Sequence, residues 1–124
     1  MSRVTDQGNV ARKFEQINEA WRPKVIAELN GQEVKVAKFL GDFPWHVHDE
    51  ADEMFLVWRG SIIVELRHES WELGAGDFCV VPKGTEHRTR AAEEAEVMIF
   101  EPAETRNTGN VVDPVFTAPQ GERT

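Results

Sequence analysis

The sequence predicts an all-β fold, a sandwich or barrel of short antiparallel strands preceded by one short helix. Between residues 24 and 102, short apolar runs alternate with turn signals that include glycines at 60, 74, 76 and 84. Asn30-Gly31 separates two strand-like runs, which is a strong signal for a two-residue hairpin. This region has no convincing helical period, so strands account for most of the chain.

Length and charge limit the possible partners. The chain has 124 residues, enough for one domain, and a formal net charge of -8, which argues against a nucleic-acid partner. The apolar runs 54–58 and 78–81 are too short to span a membrane, and residues 1–6 lack the apolar stretch of a signal peptide. Cys79 is the single cysteine, so no internal disulfide is possible. We therefore expect a cytoplasmic protein with no membrane partner.

Residues 1–23 are expected to form a helical arm that docks on the outside of the main domain. Asn9 suits the N-cap and Pro23 ends the run. Large apolar residues recur at one helical face, namely Val10, Phe14, Ile17 and Trp21.

Residues 24–102 are expected to form the barrel, and residues 103–124 an extended C-terminal tail with a frayed end, in which Val111, Val112, Val115 and Phe116 are the large apolar anchors. The hairpin around Asn30-Gly31 predicts a register with one apolar and one mostly charged face. Its apolar face pairs Ala27 with Val34 and Val25 with Val36, and its other face pairs Ile26 with Lys35 and Glu28 with Glu33.

Three of the four histidines fall in two short segments. His46 and His48 are two residues apart, so on a strand their side chains project from the same face. Glu53 follows a short acidic loop and begins the next strand, and His87 follows a Pro82-x-Gly84 turn. Three imidazoles and one carboxylate in one space suit a divalent transition metal.

These two segments resemble the two motifs of the cupin family. In the first, four residues separate His48 from Glu53 and six separate Glu53 from Gly60; in the second, Gly76, Pro82, Gly84 and His87 have the family spacing. Two positions depart from the pattern: one residue fewer than usual separates Gly41 from His46, and Ala91 replaces the closing Asn.

The resemblance implies a jelly-roll barrel. It also implies a metal held by His46, His48, Glu53 and His87. Iron(II), zinc, manganese and nickel all suit such nitrogen and oxygen donors. Cys79 fits a small buried hydrophobe better than a ligand or redox group.

Strand parity suggests which residues line the substrate pocket. Phe55 and Val57 alternate with Glu53 in register, so they should face the same interior. Lys38 shares a face with Val34 and Val36, so it either contacts an anionic substrate at the mouth or extends its ammonium to water.

Met54, Leu56 and Trp58 should point outward, where the helix or a second subunit would cover them. We therefore expect a homodimer.

These features favour a metal-dependent enzyme that acts on a small organic molecule, with dioxygenase-like or isomerase-like chemistry. The alternative is a non-catalytic module that binds a metal and a small molecule, because no catalytic acid, base or nucleophile stands out beyond the ligand set. Asp49, Glu50 and Asp52 form either a base near the metal or, more simply, a solvated turn.

Overall fold

The computed structural model describes residues 6–124, so the first five residues of the predicted arm lie outside the described part. Within residues 6–124 the chain forms one short helix followed by seven antiparallel strands. Their bounds are α1 Val10–Glu15, β1 Lys24–Leu29, β2 Gln32–Asp42, β3 Glu53–Arg59, β4 Ser61–Leu66, β5 Ser70–Gly74, β6 Phe78–Val81 and β7 His87–Pro102. The fold is therefore the all-β architecture with a short N-terminal helix that the sequence predicts.

The barrel is organised around the long strand β7. One sheet has the order β1-β2-β7-β3-β6, and β7 also pairs with β4, which in turn pairs with β5. The first residues of β7 pair with β4, from Leu66–His87 to Ile63–Arg90, whereas its later residues pair with β2 and β3. The interior between these strands is filled mainly by aromatic and branched aliphatic side chains. No helix within residues 6–124 is long and apolar enough to cross a membrane.

The N-terminal helix is shorter than the sequence predicts. Asn9 caps it as expected, since its Oδ1 accepts a hydrogen bond from the backbone N–H of Arg12 at 3.0 Å. Phe14 and Ile17 are buried against Val36 on the outer face of β2. The arm therefore docks on the outside of the barrel.

Trp21 does not continue the helical stripe, which corrects the expected helix. The helix ends at Glu15, and Trp21 has a left-handed backbone with φ of 64°. Its ring stacks on Phe39 with centroids 4.6 Å apart, and its Nε1–H donates to the carbonyl of Leu40 at 2.8 Å. Burial among interior aromatic rings and a satisfied indole N–H outweigh the helical spacing.

The β1–β2 hairpin has the predicted turn. Asn30 and Gly31 have φ of 51° and 77°, as a type I′ turn requires. The pairs Ala27–Val34 and Glu28–Glu33 confirm the register beside the turn.

A bulge at Ile26 breaks that register further along the hairpin. Val25 pairs with Lys35 and Lys24 with Val36, so the predicted pairs Val25–Val36 and Ile26–Lys35 are wrong. The sequence does not reveal the bulge, because the hairpin has one apolar and one polar face both with the extra residue and without it.

The two faces of β2 are also the reverse of the sequence expectation. Glu33 and Lys35 are buried and share their face with Ala37 and Phe39, which belong to the interior. Val36 instead lies under α1 on the outer face. The apolar face of β2 can lie outside the barrel because α1 and the residues after it cover Val36.

The C-terminal segment is anchored rather than frayed. The backbone N–H of Val25 donates to Glu122 at 2.7 Å, and that of Thr124 donates to Val25 at 3.2 Å, so the end of the chain runs beside β1. Of the expected anchors, Phe116 packs on the interior, whereas Val112 and Val115 are exposed.

Candidate metal centre

The two histidine segments are joined through their backbones. His46 and His87 exchange two hydrogen bonds, each N–H donating to the other residue's carbonyl at 3.0 Å. Gly84 N–H donates to the carbonyl of His48 at 2.9 Å. This short antiparallel pairing aligns the two segments, and the imidazole centroids of His46 and His87 lie 4.4 Å apart.

Glu53 completes the group from the start of β3, where its backbone pairs with Val81 of β6. Its Oε1 lies 3.3 Å from Nε2 of His48 and 3.2 Å from Nε2 of His87. All four side chains are buried, with 6% or less of each residue exposed. The structure therefore brings together the four residues that the sequence singled out, with ligand atoms within 4.8 Å of one another.

The ring hydrogen bonds of His46 and His87 involve Nδ1 and leave Nε2 turned toward the site. Nδ1 of His46 lies 2.8 Å from the carbonyl of Pro44, and Nδ1 of His87 lies 2.9 Å from that of Thr85. A carbonyl oxygen only accepts, so each Nδ1 carries a proton, and Nε2 is the ring nitrogen available to a metal ion. Anchoring of this kind is typical of histidine ligands.

The Nε2 atoms need a positive charge beside them. Within residues 6–124, Nε2 of His48 has no hydrogen-bond partner of good geometry, although it is buried and faces the Glu53 carboxylate. A lone pair that faces a carboxylate oxygen is favourable only when a proton or a metal ion lies between them. With metal–ligand bonds of about 2.1 Å, opposite ligands lie about 4 Å apart, so this donor set fits a divalent ion after small movements.

The electrostatics of the site keep its groups in ligand form. Burial, together with neighbouring His87, lowers the pKa of His46 to about 4, so its imidazole is neutral at pH 7. Burial opposes ionisation of Glu53, but the imidazoles of His48 and His87 beside its carboxylate outweigh it and hold the Glu53 pKa well below its usual range.

The remaining polar candidates near the site have structural roles. Asp49 and Glu50 are exposed, and Oδ1 of Asp52 accepts a hydrogen bond from Lys83 N–H at 2.9 Å, which ties the acidic loop down. Burial raises the pKa of the Cys79 thiol to about 11, which disfavours the reactive thiolate.

A small cavity adjoins the candidate ligands. It has a volume of about 30 Å³, room for one or two water molecules. Its walls are mainly apolar, with Trp and Phe rings prominent, and they include His46 and Glu53 of the ligand set. The lining residues are Trp21, Pro23, Phe39, Phe43, His46, Glu53, Phe55, Thr89, Ile99, Glu101 and Asn107.

Of the three predicted pocket residues, Phe55 lines this cavity. Val57 faces the same interior but is packed within the core and does not line the cavity. Lys38 does not line it either, which corrects that expectation. Lys38 lies on the outer face of β2 with Val36, and its Nζ is 3.8 Å from Glu94.

Sequence reasoning missed the buried charges beside the ligands. Glu101 lines the cavity, and Lys35 binds its Oε1 at 2.8 Å. Burial, together with the neighbouring Glu53 carboxylate, raises the pKa of Glu101 well above its usual range. The alternation of side chains along β2 could have shown this, since Lys35 lies on the same face as the apolar Ala37 and Phe39.

The C-terminal segment closes over residues 46–48. Asn110 N–H donates to the carbonyl of Val47 at 2.9 Å, and Val47 N–H donates to Oδ1 of Asn110 at 3.0 Å. Thr108 is fully buried beside them, and Gly109 is so close that a Cβ on it would collide with the carbonyl of Val47. This segment is part of the site.

The protein is thus a small antiparallel β-barrel with a candidate metal site of three histidines and one glutamate in its interior. Comparison with known proteins agrees with this class. The cupin domain family (Cupin_2) matches residues 28–101, more than half of the chain, so this protein belongs to the cupin family.

Solved structures and a curated relative support the assignment. A cupin-2 domain containing protein from Shewanella frigidimarina is 42% identical, with a TM-score of 0.75 over 76% of this chain and 92% of that chain. A protein from Neisseria meningitidis is 26% identical, with a TM-score of 0.72 over 78% of this chain and 99% of that one. The uncharacterized protein YdbB of Bacillus subtilis is 40% identical over 67 residues, which are 53% of this chain and 59% of that relative.

Replacing His48 by Ala should abolish stoichiometric metal binding, because it removes a ligand whose Nε2 faces Glu53. Metal analysis of protein purified without added metal measures this directly. His68→Ala is the matched control, since His68 is exposed at a turn away from the site. Equal metal content in wild type and His48→Ala would contradict the assignment of His48 as a ligand.

Replacing Gly109 by Ala should weaken both folding and metal binding. Gly109 has φ of 57°, and its new methyl group would press on Val47 and approach Cδ2 of His46 at 3.1 Å. Gly121→Ala is the control, because Gly121 has φ of 73° but open space around it. Both variants carry backbone strain of about 1 kcal/mol, and Gly109→Ala should lose about 1–3 kcal/mol more through overpacking.

Urea unfolding of the metal-free proteins measures the stability difference, and a chelator competition measures metal affinity. If the two glycine variants behave alike in both assays, the close contact between Gly109 and Val47 has no energetic role.

Proposed function

We propose that this cupin is a metal-dependent enzyme that acts on a small organic molecule in the barrel, with dioxygenase-like or isomerase-like chemistry. The observation that supports it is the convergence of three imidazoles and one carboxylate, all buried, at the edge of an aromatic-walled cavity. Sites of histidines and carboxylate with open positions are those used by oxygen-activating iron(II) enzymes. Iron(II), zinc, manganese and nickel are the candidate ions.

The chain's own residues would bind and shield the substrate. A bound ion would act as a Lewis acid toward a substrate oxygen. Phe39, Phe43 and Phe55 form apolar walls that exclude water, and Thr89 and Asn107 supply polar groups at the same cavity. Since the cavity holds only one or two waters, a substrate would enter by displacing part of the covering C-terminal segment.

A non-catalytic metal- and small-molecule-binding module is the second candidate. The composition of the cavity wall supports it. Of its polar groups outside the ligand set, Thr89 and Asn107 are neither acids nor bases, and Lys35 holds one oxygen of the third, Glu101.

The expected setting follows from composition. A chain with a net charge of -8 suits a small-molecule partner rather than nucleic acid, and a single cysteine suits the reducing cytoplasm.

We also propose that a second copy of the chain covers the outer face of β3 and β6, forming a homodimer. Phe78 and Val80 of β6 are 63% and 47% exposed, and they pair with Leu56 and Met54 of β3. Sedimentation of wild type against Phe78→Asp tests this: the wild type should sediment as a dimer and the variant as a monomer. Phe78 is exposed, so the charge should leave the fold intact. A monomeric wild type would contradict the proposal.

Turnover is tested with protein loaded separately with each candidate metal and offered a panel of diketones, thiols and phenolic acids. Oxygen uptake by the iron(II) form detects dioxygenase chemistry, and NMR of the mixtures detects isomerised products. We expect metal-dependent product that disappears in His48→Ala and persists in His68→Ala. Saturable binding of a panel compound with no product from any metal form would instead support the non-catalytic module.

A further inference from the structure

Three neighbouring strands bring three glutamates into one row. Glu33 of β2 pairs directly with Glu101 of β7. The β3–β7 register pairs Met54 with Phe100, and one residue further along it places Glu53 beside Glu101. We call Glu33, Glu101 and Glu53 the carboxyl row. Each is 5% exposed or less, and like charges side by side on a sheet repel, so the row needs compensating partners.

Lys35 supplies one compensating charge and fixes the middle of the row. Its Nζ lies 2.8 Å from Oε1 of Glu101 and 3.6 Å from Oε1 of Glu33, and it also donates to the carbonyl of Thr105 at 3.4 Å. The ammonium itself is buried, so its contacts are with protein groups rather than bulk water. Lys35 therefore holds one oxygen of Glu101 in a set position.

The other oxygen of Glu101, Oε2, is not held by Lys35. Oε2 is buried and, among the described residues, meets no donor of good hydrogen-bond geometry. Glu101 also lines the cavity together with Glu53 and His46. Glu101 therefore lies between the buried Lys35 and the candidate metal ligand Glu53.

We propose that Glu101, anchored by Lys35, is a positioning residue that orients the carboxylate of Glu53 for metal binding. The inference rests on the metal site of the proposed function. The geometry supports it, because Glu101 lies beside Glu53 in the row and one of its two carboxyl oxygens is held by Lys35. Partners that orient a ligand carboxylate commonly contribute about 10- to 100-fold in metal affinity.

The test compares two substitutions of similar size. Glu101→Gln keeps a hydrogen-bonding group that can accept from Lys35 and donate to Glu53, whereas Glu101→Met removes both interactions. Glu96→Met is the matched control, because Glu96 is also buried on β7 but pairs with Arg59 away from the site. Co²⁺ affinity is measured by chelator competition, the visible spectrum of the Co²⁺ form reports ligand geometry, and circular dichroism reports folding.

We expect Glu101→Met to bind Co²⁺ about 10- to 100-fold more weakly with an altered spectrum, and Glu101→Gln and Glu96→Met to remain near wild type. Wild-type affinity and spectrum in folded Glu101→Met would overturn the proposal. If Glu101→Met fails to fold, Lys35→Gln is measured instead. Release of Oε1 of Glu101 should weaken Co²⁺ binding and alter the spectrum. Unchanged Co²⁺ affinity and spectrum in Lys35→Gln would overturn the proposal.

The outcomes also separate this inference from the proposed function. Wild type that binds Co²⁺ but turns over no substrate removes the enzyme and leaves the positioning role intact. Wild type that binds no Co²⁺ at all removes the metal site, and the positioning role falls with it.

Discussion

The backbone pairing of His46 with His87 is the interaction on which the rest of the site depends. Its two hydrogen bonds join segments that are 41 positions apart in sequence, and without them the imidazoles would belong to separate loops. Each residue also anchors its own Nδ1 to a carbonyl two positions earlier, so backbone and ring are fixed together. The local turns, Pro44 before His46 and Thr85 before His87, thus decide both where the rings lie and which nitrogen faces inward.

The interior charges impose a second constraint. Buried glutamates and a lysine sit on the same inner faces as Ala37, Phe39 and Ile99, a mixture that is unfavourable unless each charge has a partner. Lys35 partners two carboxylates, and the remaining negative charge faces the imidazoles. The aromatic side of the cavity keeps water away from this group, which strengthens every interaction within it.

The ligand set could be predicted from sequence because motif spacing and strand parity are local properties. His46, His48, Glu53 and His87 all lie where those rules place them, and so does Phe55. The inward face of β2 could not be predicted, because its inner positions carry charge and its outer apolar positions are covered by α1. The place of Trp21 and the bulge at Ile26 likewise depend on contacts between distant segments, which periodicity within one element does not contain.

The C-terminal segment is likewise joined to the site by contacts between residues that are distant in sequence. Val47 lies between two candidate ligands, and both of its backbone polar groups are hydrogen-bonded to Asn110. An ion held by His46 and His48 would also restrain Val47 between them, and the docked segment restrains the same residue. Linkage is reciprocal: a metal ion that binds more tightly when the segment is docked would stabilise the docked state by the same free energy. The covering segment and the candidate metal centre therefore both act on the same short backbone segment, residues 46–48.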